Sequence, residues 1–259
     1  MTIHSSSIIS NKANIHPDVI IGPFCIIGDD VEIDEGTNII SHSVIKGPTK
    51  IGKRNIIYQF SSIGEDTTDK KYKGENTKII IGDNNIFREG VTVHRGTIQD
   101  KGITKIGNKN LLMAYTHIAH DCSVGDNNVF ANNAGIAGHV SIGNHVVLGG
   151  YSAVHQFCSL GDYSFAGMNT SITMDVPAYT KVASNPARVI GLNSVGMSRN
   201  DIPPESISLI KKAFKIIYKK GLKLEDSLKE IDILLAETND PYLDIFSQSI
   251  KASSRGILR

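Results

Sequence analysis

The chain has 259 residues, 40% hydrophobic and 20% charged, with a formal net charge of +1. That length suits one large domain or two, and the near-zero charge argues against nucleic acid as the main partner. Cys25, Cys122 and Cys158 lie far apart without CxxC spacing, which argues against a disulfide framework and structural zinc. No apolar run approaches the roughly 18 residues of a transmembrane segment. The first periodic residue is Ile3, which leaves no room for a signal peptide, so a cytoplasmic location is expected.

From the N-terminus, isoleucine recurs every sixth residue: Ile3, Ile9, Ile15, Ile21, Ile27, Ile33, Ile39, Ile45, Ile51, Ile57 and Ile63. Neither the helical period of 3.6 nor the strand period of 2 explains a six-residue frame. It predicts a parallel β-helix, each hexad being one short strand and its corner. Ile81, Phe87 and Val93 resume the frame, and a second run extends from Ile106 through Leu112, Ile118 and Val124 to Ile172. Small residues follow many of these positions (Gly22, Gly28, Gly52, Gly64, Gly82, Gly107, Gly125, Gly143, Gly161), and Asn and Asp crowd the corners. Both tolerances, for positive φ and for tight turns, suit corners. Three hexads make an 18-residue triangular coil. The pattern resembles the hexapeptide acyltransferase superfamily, and that resemblance implies a left-handed coil; general crossover rules favour the opposite hand.

Two insertions break the frame, at about 65–78 (EDTTDKKYKGENTK) and 96–105 (GTIQDKGITK). Loops leaving a rigid scaffold are usual carriers of binding function. After Ile172 the pattern ends, with Pro177 and Asn185-Pro186 marking the exit. From Asp201 the period becomes helical. Pro203-Pro204 opens a helix with Ile207, Ile210, Phe214 and Ile217 on one face, and Gly221 ends it. A second helix is expected from Leu224 to Ala236 and a third near Pro241. The division is therefore a β-helix over 1–185 and a linker with a C-terminal α-helical domain over 186–259. The helices cap the open end of the solenoid.

Residues 18 apart stack in neighbouring coils about 4.8 Å apart. His120 therefore lies one coil from Gly138, and Asp121 one coil from His139. A histidine base, a carboxylate beside it and a glycine N–H open to a ligand are three parts needed for acyl transfer to a hydroxyl. A lone corner histidine more often satisfies turn carbonyls, but His117, His120, His139 and His155 lie in adjacent coils. A metal site is the rival chemistry, since gamma-class carbonic anhydrases hold zinc on a similar scaffold. Their histidine spacing differs and their zinc lies between subunits, so no metal is expected here.

HIAHDC at 117–122, AGHV at 137–140, AVHQFC at 153–158, HRGT at 94–97 and NPARVIGLNSVGMSR at 185–199 together resemble the UDP-N-acetylglucosamine O-acyltransferases. The likeness covers essentially the whole chain, including the SSRGILR ending. It implies His120 as general base, Asp121 as its orienter and Gly138 N–H as oxyanion donor. It implies acyl carrier protein as donor, UDP-N-acetylglucosamine as acceptor, a homotrimer with sites between adjacent β-helices, and no cofactor beyond the carrier's phosphopantetheine arm. Asp69 and Lys71 match sugar- and phosphate-side positions. His117, His139, His155 and Gln156 match groups lining the nucleotide-sugar cleft, and Asn193 and Arg199 match groups near the uridine diphosphate. Met168 matches the position that limits acyl-chain length.

Thr68 stands where Gln is expected, Val195 where an acidic group is expected, and Asn200 where a second basic residue is common. The acceptor atom is open between a 3-hydroxyl and a 3-amino group. A later UDP-sugar N-acyltransferase is the alternative enzyme, and a non-enzymatic scaffold needs no register among His120, Asp121 and Gly138. Lys211, Lys212, Lys215, Lys219, Lys220 and Lys223 form either a solvated helix face or a surface that attracts an acidic carrier protein.

Overall fold

The computed structural model describes residues 2–259. Their strands form three sheets of eleven, nine and eight members, the three walls of a left-handed parallel β-helix. Pairing is one coil apart: Thr2 lies against Ile20, His117 against Gly135 and Ser123 against Ser141. The isoleucine column points inward. Ile21 through Ile63 are at most 2% exposed, and Phe87, Leu112, Ile118, Phe130 and Leu148 continue the column at zero exposure. Ile3, Ile9 and Ile15 are only partly buried, because no coil covers them from below.

The corners correct one expectation. Of the nine glycines that follow core residues, only Gly64 has positive φ. The left-handed conformation falls instead on larger residues at six-residue spacing: Lys109, Tyr115, Asp121, Asn127, Asn133, His139, His145, Tyr151, Phe157, Tyr163 and Asn169. Such φ values are unfavourable for side-chain-bearing residues. Here each is held from the coil below, as when His139 N–H donates to His120 O at 3.1 Å and Asn127 N–H to Asn108 O at 2.9 Å. The glycines serve close stacking. A Cβ on Gly52, Gly82, Gly107 or Gly125 would lie 2.6–2.7 Å from the carbonyl oxygen of the next glycine in the column. Asp and Asn corners have a further role, capping the preceding coil: Asp126 accepts from Asn108 N–H, Asn144 from Asp126 N–H and Asp162 from Asn144 N–H.

The coil ends in an antiparallel pair, Thr180–Ala183 with Arg188–Leu192. Four helices follow: α1 (Ser194–Arg199), α2 (Pro204–Lys219), α3 (Leu224–Thr238) and α4 (Pro241–Lys251). Ile210, Ala213, Ile217, Ile231, Leu243, Phe246 and Ile250 bury their common core against Ala178 and Tyr179 of the last coil. The C-terminal tail returns to the coil, where buried Asp175 accepts from Ser253 Oγ, Ser254 N–H and Arg255 N–H, and Leu258 packs on the β-helix core. Among the described residues no helix is long and apolar enough to cross a membrane.

Candidate active site

One corner of three successive coils carries two columns. His120, Gly138 and Gln156 follow one another at 18-residue spacing; Asp121, His139 and Phe157 stand beside them. The Asp121 side chain is fully buried. Its carboxylate accepts from Thr97 N–H at 2.8 and 3.0 Å and from Thr97 Oγ1 at 2.7 Å. Its Oδ2 lies 2.9 Å from His120 Nδ1. Burial pushes the Asp121 carboxyl up, but the hydrogen bonds from His120 and Thr97 outweigh it and hold the group below the usual carboxylate range. An ionised Asp121 makes Nδ1 the protonated nitrogen of His120 and leaves Nε2 with a free lone pair.

Gly138 sits against that ring. A Cβ there would lie 2.5 Å from His120 Cε1 and 2.6 Å from Nε2. Glycine is required at 138 for space, since its φ is not positive. Among the described residues no group accepts from Gly138 N–H. By contrast, the N–H groups of Asn108, Asp126 and Asn144, which also precede left-handed corners, donate to side chains of the next coil.

His139 meets His120 edge to face at 5.0 Å and stacks on Phe157 at 4.5 Å. Its Nδ1 bonds Asp100 of the second insertion at 3.0 Å. Asp69 and Lys71 of the first insertion line the same cleft of about 790 Å³ with Thr68, Gln99, Asp100, His120, His139, Gln156 and Phe157. His117 sits on the adjoining wall, its Nδ1 2.8 Å from Thr92 Oγ1 and its ring 5.1 Å from that of His94. Burial, then the charges of His94 and His120, push His117 down to about 4, so it is neutral at physiological pH. His155 directly follows the strand Ala153–Val154 and is exposed, its Nδ1 facing Gln156 O at 3.1 Å. Cys122 is not a nucleophile: burial pushes its thiol up to about 12.

Three expected residues lie elsewhere. Asn193 caps α1, accepting from Gly196 N–H at 3.0 Å while donating to Tyr163 O at 2.8 Å. With Arg199, Val195 and Asn200 it lines a second cavity of about 440 Å³ beside His145, Phe165 and Lys181. Met168 stands 76% exposed at a different corner. Within one chain, neither group joins His120. No sequence pattern points to Thr97, Thr104 or Asp100. Thr97 fixes Asp121, and Thr104 Oγ1 accepts from Asp121 N–H at 2.8 Å. They lie in or beside the second insertion, where no periodicity announces a contact.

His120, Asp121 and His139 offer donor atoms within 4.8 Å of one another, a set that suits zinc by composition. Asp121 Oδ2, however, already faces both His120 Nδ1 and Thr97 Oγ1, and Oδ1 accepts from Thr97 N–H. Both carboxylate oxygens are thus already engaged within the chain.

Residues 175–258 match the family described as UDP-N-acetylglucosamine O-acyltransferase, domain 2, and residues 103–138 the bacterial transferase hexapeptide family. The acyl-[acyl-carrier-protein]–UDP-N-acetylglucosamine O-acyltransferase of Saccharophagus degradans is 51% identical over 257 residues, covering 99% of each chain. The chain belongs to the UDP-N-acetylglucosamine O-acyltransferase family. Its Stutzerimonas stutzeri relative is also 51% identical over 257 residues, again 99% of each chain. The crystal structure of the UDP-N-acetylglucosamine O-acyltransferase from Moraxella catarrhalis superposes with a TM-score of 0.97 at 48% identity, covering both chains completely.

Proposed function

We propose that this protein transfers a 3-hydroxyacyl chain from acyl carrier protein to the glucosamine 3-hydroxyl of UDP-N-acetylglucosamine, the first step of lipid A biosynthesis. The observation that carries this reading is the buried Asp121–His120 pair with the His120 ring against a side-chain-free Gly138. His120 Nε2 takes the proton of the 3-hydroxyl as its oxygen attacks the thioester carbonyl carbon. Gly138 N–H stabilises the oxyanion. The intermediate collapses by breaking the C–S bond, and the imidazolium returns its proton to the departing phosphopantetheine thiolate. Ester and free thiol result. No step needs a metal or a cofactor beyond the carrier's own arm.

The enzyme acts as a homotrimer. In a single chain the cavity of Asn193 and Arg199 is separate from the His120 cleft, and packing neighbouring β-helices side by side supplies one to the other. An exposed apolar face supports this: Ile8 and Phe60 are 66% and 64% exposed, beside Phe24 and Ile26. The six lysines from Lys211 to Lys223 are exposed and suit the acidic carrier protein. Incubation with UDP-N-acetylglucosamine, its 3-amino analogue and 3-hydroxyacyl carrier protein, with mass analysis, tests the reaction. An alkali-labile ester on the first is expected; amide formation on the analogue alone overturns the 3-hydroxyl assignment. Sedimentation of the active species tests assembly, and an active monomer overturns the trimer.

A further inference from the structure

We infer that Arg95 is a positioning residue for the nucleotide sugar, acting by clamping the first insertion over the cleft. This rests on the reading that Asp69 and Lys71 bind that substrate. Arg95 follows the strand Thr92–His94 on the coil whose next residues hold Asp121. Its side chain is only 10% exposed, yet none of its contacts is to the reacting groups.

The guanidinium bonds three residues on two other stretches of chain. Nη1 donates to Gly47 O at 2.5 Å, two coils below. Nη2 donates to the Asp66 carboxylate and, at 2.9 Å, to Tyr72 Oη. Asp66 and Tyr72 belong to the first insertion and bracket Asp69 and Lys71. Tyr72 Oη also reaches Asp66 Oδ1 at 3.2 Å, closing the loop base into a ring of contacts. Within that ring Lys71 N–H donates to Asp69 Oδ1 at 2.9 Å and Tyr72 N–H to Asp69 O at 3.0 Å.

The loop has little else to hold it. Outside the Arg95 contacts, its entry is fixed by Lys46 and Glu65 at 2.8 Å, an ion pair with partly exposed partners. Most of its side chains face solvent. A planar fork reaching a carbonyl, a carboxylate and a phenol at once is geometry that lysine cannot reproduce. Releasing it frees about a dozen residues, whose ordering then falls to the binding step. Thr97, two residues on, holds Asp121, so adjacent positions have distinct kinetic roles. Arg95 governs affinity for the nucleotide sugar, and Thr97 governs the base.

The test compares Arg95→Lys, Arg95→Met, Asp66→Asn, Tyr72→Phe and the Arg95→Met/Asp66→Asn double variant in steady-state kinetics. KM for UDP-N-acetylglucosamine should rise roughly tenfold in Arg95→Met, given the worth of hydrogen bonds to charged groups. Arg95→Lys should recover only part, kcat should stay within about twofold, and KM for acyl carrier protein should not move. The double variant should be no worse than Arg95→Met alone. Asp66→Asn and Tyr72→Phe alter half-exposed groups, so they report even if the Arg95 variants do not fold. An unchanged KM in both, or additive effects in the double variant, overturns the inference. Lys71→Ala is run beside them. If it leaves KM unchanged, the first insertion does not bind the sugar nucleotide and the underlying reading fails. If it raises KM while the Asp66 and Tyr72 variants do not, only the role of Arg95 fails.

Discussion

Gly138→Ala isolates the geometry of the base from its chemistry. The added methyl would lie 2.5 Å from His120 Cε1 and 2.6 Å from Nε2. Carbon contacts settle at about 3.5–4.0 Å, so the ring must retreat by about 1 Å. That movement strains the 2.9 Å bond to Asp121 and carries Nε2 away from the acceptor hydroxyl. A misplacement of about 1 Å costs on the order of 10²-fold in rate, or about 2.7 kcal/mol of barrier. The backbone at 138 has no positive φ, so alanine adds no conformational strain there. We therefore expect kcat/KM to fall about 100-fold while the thermal midpoint moves by only a few degrees. The assay is steady-state transfer from a 3-hydroxyacyl carrier protein, beside a melting curve. In a His120→Ala background the same methyl has no ring to displace and should cost little more. Near-normal turnover in Gly138→Ala refutes the reasoning. An equal loss in both backgrounds moves the effect from the base to the oxyanion donor.

Asp121→Asn replaces a pure acceptor by an amide, whose NH₂ must face either the Thr97 donors or His120 Nδ1–H. The rate should fall less than on loss of the base, with an altered pH–rate profile; an unchanged profile removes Asp121 from the orienting role. Met168→Gly should shift donor preference toward longer chains several-fold, at about 0.8 kcal/mol per buried methylene, and an identical length preference in wild type and variant makes Met168 a packing residue. His117 titrates at about 4 in the fold, against about 6.5 in an unfolded chain. Between those values only the unfolded chain takes the proton, so stability should fall as pH drops from about 6.5 to about 4. Discounted for partial solvent exposure this amounts to about 1–2 kcal/mol, and urea midpoints at both ends should lose that slope in His117→Gln.

Much of the fold is legible because a solenoid repeats one local decision. Each inward isoleucine meets the same environment, so the period alone places the core, and the 18-residue offset aligns His120 with Gly138 and Asp121 with His139. The corners are less legible. Tyr115, His139 and Phe157 adopt a conformation their side chains disfavour, because bonds from the adjacent coil hold them there. The antiparallel pair at 180–192 and the Asp175 contacts to the tail lie where the period has ended. In the site, His120 and Asp121 are one step apart in sequence and visible. Thr97, Asp100 and Arg95 act across insertions whose path only the fold reveals. Nothing in one chain brings Arg199 to His120, and periodicity is silent on a site shared between chains; only the family resemblance implies one.

His120→Ala bears most directly on the chemistry. Its side chain lies outside the isoleucine core, so the variant should keep the fold and the melting behaviour of the wild type. Turnover of UDP-N-acetylglucosamine with a 3-hydroxyacyl carrier protein should fall by about 10²–10⁴-fold, the usual share of a general base. A correctly folded His120→Ala protein that turns over at a near-normal rate would contradict the assignment of His120 as the base.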